Sequence, residues 1–182
     1  LITGPAHGTL TLNPNGSFTY APTGNYSGSD SFTYRARDAE LTSSPVTVTL
    51  SVNAVNDAPT AGANQYRVDM GAVLTVNIAT GLLSNDTDIE NSPLTAVFAT
   101  QPAHGALVLN ADGSFSYTPT SGFSGTDTFT YRANDGSDLS APATVTITVN
   151  GGPAVVNDTY AAAEDLPLVV MVSNGVLKND TD

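Results

Sequence analysis

Five residues carry the clearest chemical spacing in the chain: Asp86-Thr87-Asp88-Ile89-Glu90, with a shorter copy at Asp180-Thr181-Asp182. Carboxylates set two apart in a polar loop are hard oxygen donors. Calcium takes about six to eight oxygens, more than a single Asp-x-Asp supplies, but such a loop together with a nearby joint can reach that number. Asp57 and Asp158 lie in stretches that read as joints, and Asp135 and Asp138 flank the turn Asp135-Gly136 as weaker candidates. The spacing does not match the helix–loop–helix calcium loop, and no glycine-rich nonapeptide occurs. A second reading stays open on the residues alone: Asn85 and Asp86 can cap turns through Asx hydrogen bonds with no ion present.

Other chemistries find less support. His7 and His104 are the two imidazoles, and they occupy the same place in two similar stretches, each followed by glycine. Nothing puts a serine on a strained elbow, and no Gly-x-Ser-x-Gly is present. The histidines lack the close spacing of a zinc site. Cysteine is absent, which removes disulfides, thiolate nucleophiles and cysteine-bound metals. The chain is therefore expected not to be an enzyme. Seventeen acidic residues against five basic ones give a net charge of −12, which argues against binding nucleic acid or anionic lipid. The chain has no apolar run of the roughly 18 residues that a spanning helix requires, so no membrane insertion is expected of this segment.

The elements that must position these carboxylates read as strands. Val145-Thr-Ile147-Thr-Val149 alternates branched apolar and hydroxyl residues, the pattern of a strand with one face in the core. Leu107 and Leu109 share a face; a turn through Asp112-Gly113 follows, and Phe115 and Tyr117 return inward. Glycine there supplies a positive-φ position. Phe123 should anchor the next loop, as Tyr26 does in the earlier copy. Asp127, Phe129, Tyr131 and Ala133 share one parity. Asp127 is thus expected at the mouth of the core, where backbone N–H groups can satisfy it. Upstream, residues 66–68, 73–78 and 94–100 read as further strands. Gly81-Leu82-Leu83 is either a helical turn or an irregular strand, with Leu83 expected to plug the core edge. Seven or more short strands and no long amphipathic helix predict an all-β fold of two antiparallel sheets packed face to face.

The chain also repeats itself. His7 to Asn53 reappears as His104 to Asn150 at an offset of 97, and Gly81–Asp88 reappears as Gly175–Asp182 at an offset of 94. Residues 1–56 are then the C-terminal part of one repeat, 57–151 a complete repeat, and 152–182 the N-terminal part of a third. Residues 89–97 are the only part of the unit represented once. The chain is expected to be a window on a longer array. The rival is that the open C-terminal part completes the open N-terminal part of another molecule by strand complementation.

One string ties these features to a known family. It runs Pro102-Ala-His104-Gly105-x-Leu107, Asp112-Gly-Ser-Phe115-x-Tyr117-x-Pro119, Gly125-x-Asp127-x-Phe129-x-Tyr131-x-x-x-Asp135-Gly136 and Ala143-x-Val145-x-Ile147-x-Val149. With Gly81-Leu-Leu-Ser-Asn85-Asp86-Thr-Asp88 before it, this resembles the tandem bacterial cadherin-like, immunoglobulin-like repeats of large secreted surface proteins and adhesins. The resemblance implies tandem β-sandwich repeats on the bacterial cell surface or outside the cell. It also implies calcium at the domain junctions, with Asp57, Asp86, Asp88 and Asp135 as ligands. The implied role is a structural extender whose length and thermal stability rise with calcium, its partners being neighbouring repeats of the same polypeptide. The alternative is a module that binds a cell-surface glycan or protein. The second joint, Gly151-Gly152-Pro153, departs from the first, Ala54-Val55-Asn56, so the two junctions need not be equally stiff.

Overall fold

The computed structural model describes residues 1–153 and 155–181. By compactness the chain divides into two units, Leu1–Asp57 and Ala58–Asp182. The first holds strands β1 (Gly8–Leu12), β2 (Phe18–Pro22), β3 (Gly28–Tyr34) and β4 (Val46–Val52). The second holds β5 (Asn64–Asp69), β6 (Leu74–Val76), β7 (Thr95–Thr100), β8 (Gly105–Leu109), β9 (Phe115–Pro119), β10 (Gly125–Asn134) and β11 (Ala143–Asn150). Three short 3-10 turns, Ile78–Thr80, Leu82–Asn85 and Val172–Asn174, are the only helical elements among the described residues.

The second unit is a sandwich. One sheet has the order β5-β11-β10-β7 and the other β6-β9-β8. The hydroxyl-and-branched alternation works as expected: Val145, Ile147 and Val149 are buried while the threonines between them are not. Phe129 and Tyr131 of β10 face Phe115 and Tyr117 of β9 across the interior, and Phe115 meets Phe129 edge-on at a centroid separation of 5.8 Å. Phe123 packs against this core from its loop.

Three details go beyond the sequence reading. β5 joins β11 in parallel, with Tyr66 opposite Ile147, so one strand pair of the sheet is not antiparallel. The register of β10 against β7 shifts by one residue between Thr130 and Tyr131. And Gly81-Leu82-Leu83 takes the helical-turn form, with Leu83 packed partly buried at the core edge as expected, while Leu82 beside it is fully buried. The turn begins where the Leu82 N–H donates to the Gly113 carbonyl at 2.9 Å. That bond fixes the chain direction and aims Leu82 inward, a choice between adjacent leucines that no periodicity encodes.

In the first unit, β1 pairs with β2 and β3 with β4, antiparallel and in the same register as β8 with β9 and β10 with β11. Both hairpins turn through a positive-φ glycine, Gly16 at 86° and Gly113 at 83°, a conformation that costs a residue with a Cβ. No counterparts of β5 and β6 are paired with β4 and β2 in this unit. Its apolar face is accordingly open: Phe18 is 44% exposed where its counterpart Phe115 is 2% exposed.

Candidate functional site

Asp86 sits at the C-terminal cap of the 3-10 turn Leu82–Asn85, and its carboxylate is committed to the protein. Oδ1 accepts from the Gly62 N–H at 2.8 Å, and the Tyr131 hydroxyl lies 2.9 and 3.0 Å from its two oxygens. The same hydroxyl lies 3.1 Å from the Gly62 carbonyl and 2.9 Å from that of Leu82, and accepts from the side-chain amide of the buried Asn64 at 3.1 Å. Tyr131 thus reaches across more than forty residues of sequence, unlike the local hydroxyl bond of an immunoglobulin tyrosine corner. Burial pushes the Asp86 carboxyl up, and the Gly62 and Tyr131 donors only partly offset it. Burial and the neighbouring Asp86 push the Tyr131 phenol up as well.

Asp88 stands two residues on, past a short antiparallel bridge between Thr60 and Thr87 that brings the start of the second unit alongside this loop. Its Oδ1 accepts from the Ser92 N–H at 2.8 Å, while Oδ2 is buried and has no hydrogen-bond partner. A buried carboxylate oxygen with no donor is costly unless a cation or water satisfies it. The donor chemistry at Asp88 therefore fits a hard cation.

Asp135 closes its own turn, with Oδ1 accepting from Ser137 N at 2.6 Å and Asp138 N at 2.7 Å. Asp57 is half-buried at the end of the first unit. Asp180 repeats the Asp86 contact, accepting from the Val156 N–H at 2.9 Å; Asp182 lies outside the described residues. Among the described residues, no three His, Asp or Glu side chains gather closely enough to hold a metal ion. The structure places Asp86 and Asp88 in one loop.

The most elaborate carboxylate arrangement belongs to Asp127 and its copy Asp30. Asp127 accepts from Ala103 N at 2.9 Å, His104 N at 2.8 Å, Thr128 N at 2.9 Å and the Tyr117 hydroxyl at 2.8 Å. Asp30 does the same with Ala6, His7, Ser31 and Tyr20. Burial pushes both carboxyls up, but the converging donors outweigh it: Asp127 titrates below the usual carboxylate range and Asp30 is lowered to about 2. The Tyr20 phenol is pushed up to about 12, by burial first and then by Asp30. These aspartates pin the start of a hairpin to the late strand, as the inward parity of Asp127 implied. His104 stacks on Phe123 with ring centroids 4.3 Å apart, and His7 on Tyr26 at 4.1 Å, so both imidazoles pack on aromatic rings in the loop that follows the hairpin.

Sequence reasoning missed Asn64, the orphaned Asp88 oxygen and Ser140. The last is buried, accepts from the Ala133 N–H and donates to the Ala141 carbonyl. A signal was present for Ser140: Ser43 stands at the same repeat position and accepts from Ala36 N.

Among solved structures, an endo-fucoidan hydrolase of glycoside hydrolase family 107 is 22% identical over 82% of this chain, with a TM-score of 0.39. The chain spans 23% of the length of that protein. The extracellular domains 1–2 of human mucin-like protocadherin are 15% identical over 81% of this chain and 86% of theirs, at a TM-score of 0.49. Domains 3–6 of protocadherin gammaB7 are 18% identical over 87% of this chain and 43% of theirs, at a TM-score of 0.52, a likeness of fold. No curated protein sequence matches the chain. The model of the bacterial cadherin-like domain matches residues 1–54 and again 56–151. The sandwich, its copied pinning aspartates and this double match agree: the chain belongs to the bacterial cadherin-like domain family.

Proposed function

We propose that the chain is a structural extender of a bacterial surface adhesin or large secreted protein, in which successive sandwiches space a distal domain from the cell. The observation that carries this reading is the succession of two matches to one domain family across a single helix-free joint. Repetition of a rigid unit lengthens a protein without adding a new active site. Its partners are the neighbouring repeats, and its setting is extracellular. Cysteine-free sandwiches with pinned hairpins keep their fold there without disulfides.

Calcium stiffens the junction in this proposal. Asp88, through its orphaned oxygen, would hold the ion together with Asp86, Asp57 and Asp135. The ion supplies positive charge that offsets the desolvation of Asp86 and satisfies Asp88. Backbone carbonyls and water complete a coordination shell of about six to eight oxygens. Thermal melting and small-angle scattering of the whole chain, with calcium and with chelator, test this. The expected outcome is a higher melting temperature and a larger maximum dimension with calcium. Superimposable curves remove calcium and leave the extender reading standing.

A further inference from the structure

Asn15 and Asp112 stand at the same place in two hairpins, one an amide and one a carboxylate, each followed by the positive-φ glycine of its turn. We propose that Asn15 is a modification site, at which the chain converts its own side-chain amide into the aspartate that the second copy already carries. This goes beyond the extender reading and depends on neither calcium nor a neighbouring repeat.

The turn Asn13-Pro14-Asn15-Gly16-Ser17 holds an electrophile, a nucleophile and a support for developing charge. The electrophile is the Asn15 side-chain carbonyl. Its Oδ1 accepts from the Ser17 N–H at 3.1 Å and from the Ser17 hydroxyl at 2.8 Å. The Asn13 side-chain amide donates to that same hydroxyl oxygen at 2.9 Å, which leaves the hydroxyl proton aimed at Asn15. Two donors therefore meet the oxygen on which negative charge builds when a nucleophile adds to the amide. The nucleophile is the Gly16 backbone nitrogen, the next nitrogen along the chain. Glycine brings no side chain to crowd the ring that closes.

The steps balance with water and hydroxide alone. Hydroxide removes the Gly16 N–H proton, which at rest is donated to the Asn13 carbonyl at 3.0 Å. The nitrogen bonds to Asn15 Cγ, the bond from Cγ to the side-chain nitrogen breaks, and that nitrogen leaves as ammonia after taking a proton from water. A cyclic imide remains. Water adds to it at the side-chain carbonyl, the ring nitrogen departs and is reprotonated, and an aspartate is left in an intact main chain. Addition of water at the main-chain carbonyl gives the β-linked isomer instead.

The second copy shows the product already in place. Asp112 Oδ1 accepts from the Ser114 N–H at 2.9 Å and the Ser114 hydroxyl at 2.6 Å, and Asn110 donates to Ser114 Oγ at 2.9 Å. Those Ser114 bonds hold the Asp112 carboxyl below the usual carboxylate range. The β8–β9 hairpin keeps the register of β1–β2, so an aspartate at this place adds a negative charge and preserves the turn. Asp112 is exposed even in the complete repeat, where Gly113 is buried against Leu82 and Leu83. The side chain at this place thus meets water in a closed sandwich as well.

Asn150-Gly151 is the same dipeptide in the opposite setting. Asn150 ends β11, lies opposite Asp69 in the ladder, and donates its side-chain N–H to the Asp69 carboxylate at 3.2 Å. The strand fixes its backbone, the leaving nitrogen is bound, and the adjacent negative charge opposes the anion formed on attack.

The test follows each asparagine in the full chain by peptide mass spectrometry during incubation at mildly alkaline pH in water enriched in heavy oxygen. Asn15 should gain an acid oxygen from the solvent, counted over both isomers, at least about tenfold faster than Asn150. Ser17→Ala removes one donor and should slow Asn15 about tenfold, less than the roughly hundredfold or more of a donor in a water-excluded site. The rate at Asn150 should not change. Ser17→Thr keeps a hydroxyl and should restore the rate, with circular dichroism confirming that both variants are folded. Equal rates at Asn15 and Asn150 overturn the proposal. So does an Asn15 rate that is the same in Ser17→Ala as in the unmodified chain.

Discussion

Asp127 shows how a single buried charge holds two elements together. Its carboxylate collects the Ala103, His104 and Thr128 amides and the Tyr117 hydroxyl, so Asp127→Ala leaves several donors without an acceptor. The expected loss is about 3 kcal/mol, since each unsatisfied buried group costs roughly 1–3 kcal/mol; urea unfolding of the full chain measures it. The pH dependence has a definite sign. Asp127 and Asp30 titrate lower when folded than the unfolded value of about 3.9, Asp30 near 2. The unfolded chain therefore binds more protons in this range, so stability rises with pH and falls on acidification. Their contribution is complete above about pH 4 and is lost as pH drops towards about 2. Acid titration followed by circular dichroism should show the loss in that window, with Asp127→Asn flattening part of it. Tyr131→Phe removes the hydroxyl shared by Asn64, Asp86 and two carbonyls. It should cost about 1–2 kcal/mol, read by the same unfolding experiment.

At the scale of elements, the hairpins are set by where glycine permits close approach. A Cβ on Gly105 would collide with the ring of Tyr117, and one on Gly8 would lie 2.5 Å from the Tyr20 ring and 2.6 Å from the Ala21 carbonyl. The tyrosine lies over the glycine so that its hydroxyl reaches the pinning aspartate. Gly105→Ala should therefore displace Tyr117 and destabilise the second unit by about 1–3 kcal/mol, the usual cost of overpacking. Ala106→Gly, one residue along on the solvent face, is the matched control in thermal melting. The strand pattern of these elements was legible in sequence because burial alternates with a period of two, and Val145, Ile147 and Val149 follow it. The parallel pairing of β5 with β11 and the burial of Leu82 rather than Leu83 were not legible. Both are set by partners distant in sequence, Val145 to Asn150 in one case and the Gly113 carbonyl in the other.

At the scale of the whole molecule, one complete sandwich and one open half share a chain. Apolar burial is the main stabilising term in folding, and Val145 and Ile147 are sealed where Val48 and Leu50 are only half-buried. The unit Leu1–Asp57 should open before Ala58–Asp182. Amide hydrogen exchange is expected to show faster exchange in β3 and β4 than at the matching positions of β10 and β11.

Asp86 and Asp88 stood out in the sequence because carboxylates set two apart are hard oxygen donors, and they lie in one loop. Their different states were invisible beforehand: Asp86 is held by Gly62 and Tyr131, while Asp88 keeps one oxygen buried without a donor. Those differences depend on which distant groups the fold brings near each oxygen. The sequence by itself determined the repeat, the strand alternation, the glycine turns and the inward aspartates, because each is a local pattern with a period or a steric requirement. Only the tertiary structure decided which strands pair, which leucine enters the core, and which faces stay uncovered. Those outcomes rest on contacts between segments tens of residues apart, where the same short string is buried in one repeat and bare in the next.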